Sequence, residues 1–229
     1  MILPRSITVD GPAGSGKSSI CSAIAQEFDY LFVDTGAFYR AVTLAALRAT
    51  LVQADESILI ELAKRVSLDI TPDRDADNRQ YTILLDHQDV TWEVRTPAVD
   101  AHVSRVSSFK GVRAILNSRY RELASRGRVI MAGRDIGSVV LPDADVKVYL
   151  DASMEARAKR RYEQQIAEGR EADLDQILSA MRRRDHLDTQ NTLRAPDAHY
   201  VNTDSLNIDG VVAEVRQIIL NWKPAAQAG

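Results

Sequence analysis

The chain is poor in the residues that fasten small secreted proteins and metal proteins. It has one cysteine, Cys21, among 229 residues. No disulfide can form within it, which fits a reducing compartment. Cys21 falls inside an apolar helical pattern and reads as a small core residue. The four histidines are scattered and lack the spacing of a metal centre, which argues against a structural metal. There is no apolar run of the roughly 18 residues that a membrane span needs. Met1 leads straight into a strand pattern, with no charged-then-apolar leader, so a cytoplasmic protein is expected. Internal repeats and low-complexity tracts are absent. Cationic excess is lacking too. Lys+Arg 29 against Asp+Glu 32 leaves a formal charge of −3, which argues against a broad nucleic-acid surface.

What is present is enough for a sizeable core. Hydrophobic residues make up 45% and charged residues 27%, a balance that argues against disorder. The length suits one α/β domain with an insertion.

One stretch organises the rest. Gly11-Pro12-Ala13-Gly14-Ser15-Gly16-Lys17-Ser18 has the spacing Gly-x-x-x-x-Gly-Lys-Ser of a phosphate-binding loop. Ser6–Asp10 before it is β-branched and reads as a buried strand. Ser19–Phe28 after it carries Ile20, Ala23, Ile24 and Phe28 at helical spacing. The glycines let successive amides face phosphate oxygens, and a helix N-terminus favours an anion. Lys17 is placed to reach the outer phosphates and Ser18 to ligate Mg²⁺. A nucleoside triphosphate is therefore the expected ligand, the alternative being a glycine turn with a chance lysine.

Beyond the loop, strand patterns alternate with helical ones: Leu31–Asp34, 35–49, 55–66, 97–106, 110–126, Arg128–Ala132, Asp145–Leu150, 153–168, 173–187, His199–Asn202 and 211–220. Such alternation predicts a mostly parallel sheet with helices on both faces. Asp55 is a candidate helix cap. Ser67–Ile70 and Tyr81–Leu85 predict a hairpin whose charged tip is solvated, within a β insertion of about 67–95. Residues 223–229 are expected to fray. Ligands sit at the carboxyl ends of parallel strands. Asp10-Gly11, Asp34-Thr35 and Gly133-Arg134-Asp135 end three of the strands, so all three are expected to line one crevice.

Three further clusters add chemistry. In Asp34-Thr35-Gly36-Ala37-Phe38-Tyr39-Arg40, Arg40 is suited to clamp a second phosphate, and Tyr39 to pack on a base or bond a phosphate. In Gly133-Arg134-Asp135-Ile136-Gly137-Ser138-Val139-Val140, glycines flank an Arg-Asp pair, which suggests close ligand approach. In Arg182-Arg183-Arg184-Asp185-His186-Leu187-Asp188, three arginines suit bidentate phosphate or carboxylate recognition. Taken singly, the first is also a helix start with a surface arginine, and the last a salt-bridged helix face.

Together these stretches resemble the bacterial-type cytidylate (CMP/dCMP) kinases, which are P-loop nucleoside monophosphate kinases. The likeness extends through Asp89-Val90-Thr91, Val94-Arg95-Thr96-Pro97, Val103-Ser104, Val112-Arg113, Lys147–Ser153 and Arg184-Asp185. It implies a P-loop fold with a parallel five-stranded core sheet and helices on both faces. It also implies a β-containing insertion in the monophosphate-binding part and a short lid. As one nucleoside monophosphate kinase domain, the core covers about 1–35, 126–155 and 188–229. The monophosphate-binding region covers 36–125, and the lid 156–187 with its tip near Gln164–Leu174.

The implied substrates are ATP, with Mg²⁺, and CMP or dCMP; a monomer without nucleic-acid or membrane partners is expected. ATP falls to Gly11 through Ser18, Ser19, Arg157 and Arg161. CMP falls to Thr35, Tyr39, Arg40, Ser104, Arg113, Gly133, Arg134, Asp135, Arg184 and Asp188. Of these, Ser104, Arg113 and Asp135 match, by the resemblance, the cytosine-facing positions. Lys17, Arg40, Arg134 and Arg184 are the expected catalytic residues. Ser18 is the expected Mg²⁺ ligand, with Asp34 a second candidate. The chain departs from the family where an arginine usually follows Asp188 by three residues and Asn191 stands instead; Arg194 is the candidate to replace its charge. It departs again at His87-Gln88, where Gly-Glu is common. Two rival readings remain: another small-molecule kinase of the same fold, for shikimate or a different monophosphate, and a nucleotide-binding regulator without turnover. The Ser104, Arg113, Asp135 set speaks against the first.

Overall fold

The computed structural model describes residues 2–72, 77, 79–167, 169–188 and 192–224, with the backbone alone at 184, 187 and 188. The expected fraying of 223–229 therefore falls largely outside the described residues. The chain folds as two compact units, Met1–Asp29 with Ile130–Gly229, and Tyr30–Val129.

The first unit holds β1 (Ser6–Asp10) and α1 (Lys17–Phe28). Its central strands β6 (Val129–Gly133) and β7 (Val146–Asp151) come later in the chain. It closes with α6 (Met154–Ala167), α7 (Leu174–Asp188), β8 (His199–Asn202) and α8 (Ile208–Asn221). Strand β1 pairs with β7, and β7 with β8, both parallel. Ile7, Thr8, Val9 and Asp10 are all buried, as expected of a strand covered on both faces. Cys21 is fully buried in α1. Helix α8 packs on α1, where Arg216 pairs with Glu27 at 2.5 Å.

The second unit holds β2 (Leu31–Asp34), α2 (Thr35–Arg48) and α3 (Glu56–Arg65). A three-stranded antiparallel sheet follows, formed by β3 (Leu68–Pro72), β4 (Tyr81–Leu85) and β5 (Gln88–Asp89). Helices α4 (Pro97–Ser108) and α5 (Lys110–Ser125) complete it. Pro97 opens α4, where a missing amide costs nothing. The other sheet of the molecule is parallel and has the order β2-β6-β1-β7-β8. Among the described residues, no helix is long and apolar enough to cross a membrane.

Three local outcomes differ from the expectations. Asp55 stands at the N-cap of α3 but makes no side-chain cap bond. The hairpin tip at 73–76 and 78 lies outside the described residues, yet Arg79 beside it is not solvated. Its side chain is 8% exposed, held by Asp77 and Asp89, because two carboxylates satisfy the forked guanidinium in place of water. Residues 136–140 form a π-turn, a rare bulge often found at functional sites, which periodicity does not signal.

Candidate active site

The loop in the first unit is shaped by backbone sterics. Gly11 has φ +150, and a Cβ there would lie 2.1 Å from the Leu150 carbonyl oxygen, so no other residue fits. The loop delivers the chain to Lys17, the first residue of α1. The Lys17 ammonium donates to the carbonyls of Gly11 and Pro12 at 2.8 and 2.7 Å. Ser18 and Ser19 follow in the first helical turn, both partly buried.

Arg157 lies against the phosphate loop. It is 5% exposed, and its donors reach the Ala152 carbonyl at 3.1 Å, the Ala13 carbonyl at 3.0 Å and Asp185 at 2.7 Å. The guanidinium braces the loop between α6 and α7. Arg161, one turn on, is exposed and bonds Gln164 of its own helix at 3.1 Å. Arg184 and Asp188 have no described side chains, and Asn191 lies outside the described residues. Arg194 is exposed, with its guanidinium 5.3 Å over the Tyr200 ring.

Gly133, Arg134 and Asp135 lead out of β6 into the π-turn. Asp135 is 7% exposed. Its carbonyl accepts from the Val139 amide at 2.9 Å, and the Arg134 carbonyl from the Leu193 amide at 3.1 Å. Beneath this turn lies Asp10, 3% exposed. Its two carboxylate oxygens accept from the amides of Ile136 and Gly137, each at 2.8 Å. Burial is the largest influence on Asp10 and raises it. The two amides lower it, the charge of Asp135 raises it and that of Lys17 lowers it. The net effect pushes Asp10 up to about 6.

In the second unit, Asp34 ends β2 and caps α2, accepting from the Gly36 amide at 2.9 Å and the Tyr81 hydroxyl at 3.1 Å. Burial, then the charge of Asp34, raise the Tyr81 hydroxyl far above its ordinary value, so it stays a donor. Thr35 is 4% exposed, and its carbonyl accepts from the Tyr120 hydroxyl at 3.0 Å. Tyr39 is 8% exposed. The Arg113 guanidinium lies 5.7 Å over its ring, a cation–π arrangement. Arg40 bonds Asp100 at 2.6 Å and the Val94 carbonyl at 3.1 Å. Ser104 is partly buried on α4. Two surface hollows of this unit, about 560 Å³ along α3 and about 290 Å³ between β3 and α5, include none of the expected site residues.

A family model described as cytidylate kinase matches residues 7–221. The chain belongs to the cytidylate kinase family. It is 41% identical to a cytidylate kinase of Herpetosiphon aurantiacus, covering 96% of each chain. It is 44% identical to one of Roseiflexus castenholzii, covering 94% of this chain and 93% of the relative. A shikimate kinase structure from Bacteroides thetaiotaomicron superposes with a TM-score of 0.50 at 14% identity, covering 94% of this chain and 98% of that one; that likeness concerns the fold alone.

For this cytidylate kinase family chain, Tyr81 and Tyr120 are the supporting residues that sequence reading passed over, while Asp10 was expected to line the crevice but not to hold the turn after β6. Asp10 did carry a signal, a carboxylate closing an apolar strand just before the glycine loop. Tyr81 and Tyr120 carried none, because each reaches its partner from a distant element.

Proposed function

We propose that the chain transfers the γ-phosphoryl group of ATP to CMP or dCMP, giving ADP and CDP or dCDP. The match to cytidylate kinases over residues 7–221 carries this reading. The structure supports it with a phosphate loop and an Arg-Asp turn tied together in one unit through Asp10. On this reading the loop amides and Lys17 hold the β- and γ-phosphates of ATP. Lys17 leaves the loop carbonyls to follow the transferred group, whose charge must be neutralised as it moves.

Mg²⁺ fits the donor set. No described group of three or more Asp, Glu, His or Cys residues is poised for a metal. Mg²⁺ takes few protein ligands and relies on phosphates and water, so Ser18 is the one side chain assigned to it. The ion supplies charge neutralisation on the phosphates when bound. Asp34 is better suited to its cap, since both of its oxygens already accept protein donors.

Thr35, Tyr39, Arg40, Ser104, Arg113, Gly133, Arg134, Asp135, Arg184 and Asp188 are assigned to the monophosphate. The acceptor phosphate is already an anion, so no general base is required. Arg161 is the better-suited lid arginine for the donor phosphates, with Arg157 holding the loop. The lid is assigned to 156–187. Closing it would exclude water and limit ATP hydrolysis. An acceptor screen with ATP and Mg²⁺ over CMP, dCMP, UMP, AMP, GMP and shikimate tests the reading. ADP formation that depends on CMP or dCMP is expected. Turnover with shikimate instead, or no acceptor-dependent ADP, would overturn it.

A further inference from the structure

We propose that Asp10 is a positioning residue for the acceptor, holding the Arg134–Asp135 turn in register with the phosphate loop. This rests on the kinase reading above and adds a residue to it.

The geometry is that of a clamp. Asp10 ends β1 and immediately precedes Gly11, whose carbonyl receives Lys17. Its two oxygens take two consecutive amides, Ile136 and Gly137, each at 2.8 Å. Those amides open the π-turn, and Arg134 and Asp135 stand directly ahead of them. The far side of the turn is tied as well. Ser138 Oγ donates to the Leu193 carbonyl at 3.0 Å, while the Leu193 amide donates to the Arg134 carbonyl at 3.1 Å. A displacement of the turn therefore requires breaking bonds at both ends.

Two features suit a positioning role better than a purely structural one. Gly137 is required by the clamp. A Cβ there would come 2.7 Å from Thr8 Oγ1 and 3.3 Å from Asp10 Oδ2, so any larger residue pushes the turn off the carboxylate. Burial also makes the ionised carboxylate costly to hold at this place. An apolar strand end would serve the core better, so the charge answers to the turn above it. Asp10 faces Lys17 from α1, Asp135 from the turn and Tyr149 from β7, and the Lys147 chain runs beside Gly137.

The test compares Asp10→Asn and Gly137→Ala with the full-length wild type in steady state, varying CMP and ATP separately. Asn offers one acceptor oxygen and sets an N–H₂ against the other amide. A selective loss is expected: kcat/KM for CMP falls about tenfold or more, the scale of one buried group left unpaired, while KM for ATP stays within about twofold. Gly137→Ala, which disturbs the same contact from the other side, should give the same pattern. It carries the test alone if Asp10→Asn does not fold. Parallel losses for ATP and CMP, or a kcat/KM for CMP near wild type in a folded variant, would overturn the clamp. Failure of the wild type to use CMP would instead count against the kinase reading. The comparison then runs with whichever acceptor the screen returns.

Discussion

At the scale of single residues, charge placement decides most outcomes. Lys17 sits on two loop carbonyls and is the one loop side chain assigned to the moving phosphoryl group. Lys17→Met keeps the stem and removes the charge. Its kcat should fall by about a hundredfold or more, the scale of a lost transition-state donor, with unchanged circular dichroism. A variant keeping over about a tenth of wild-type kcat would remove Lys17 from that role. Asp10 makes a separate prediction through pH. Its folded pKa of about 6 exceeds the ordinary 3.8, so the folded state holds its proton more tightly. Stability from this group is full below about 3.8 and is lost as pH rises through about 6. At 1.36 kcal/mol per unit, the swing is up to roughly 3 kcal/mol. Urea melts from pH 4 to 8 should therefore show wild type losing stability relative to Asp10→Asn as pH rises. A constant difference would mean that Asp10 titrates normally.

At the scale of elements, the cap of α2 joins the β insertion to the helix that carries Thr35, Tyr39 and Arg40. Asp34→Ala removes the cap, worth about 0.5–2 kcal/mol, and strands the buried Tyr81 hydroxyl, worth about 1–3 more. Asp34→Asn keeps an oxygen for the cap and should recover most of both, with turnover retained. Equal destabilisation of the two variants by denaturant would refute the cap; loss of turnover in a stable Asp34→Asn would favour a metal role for Asp34. The elements themselves were largely legible. Strand patterns at Ser6–Asp10, Leu31–Asp34 and His199–Asn202 match the observed strands, because buried parallel strands are short apolar runs between turn residues. What escaped was set by distant partners. The π-turn depends on Asp10, 126 positions from Ile136. The Arg79 side chain is little exposed because Asp89, ten positions on, folds back to it. The Gly-x-x-x-x-Gly-Lys-Ser loop and the Gly-Arg-Asp stretch were legible because each depends on a few adjacent residues.

At the scale of the whole molecule, the chain leaves its first unit after Asp29 and returns to it at Ile130. A nucleotide that binds only the folded chain stabilises it, so acceptor binding should register in global stability as well as in rate. A ligand at a hundred times its dissociation constant stabilises the folded state by about 2.7 kcal/mol. For a chain of this length, that raises Tm by about 5–11 °C. The base decides how much of this is available. Cytosine presents an amino donor at position 4, where uracil has a carbonyl. The buried Asp135 can accept from the first and repels the second. A tenfold weaker UMP, at the same concentration, would stabilise by about 1.3 kcal/mol less than CMP, leaving its Tm shift about 3–5 °C smaller. Asp135→Asn can turn its N–H₂ towards uracil, so the gap should close, mainly through a smaller shift with CMP. The measurement is a melting curve for both proteins with each nucleotide at one fixed concentration. Equal shifts with CMP and UMP on the wild type would mean that Asp135 does not read the base, and its place after Arg134 would then be explained by the turn alone.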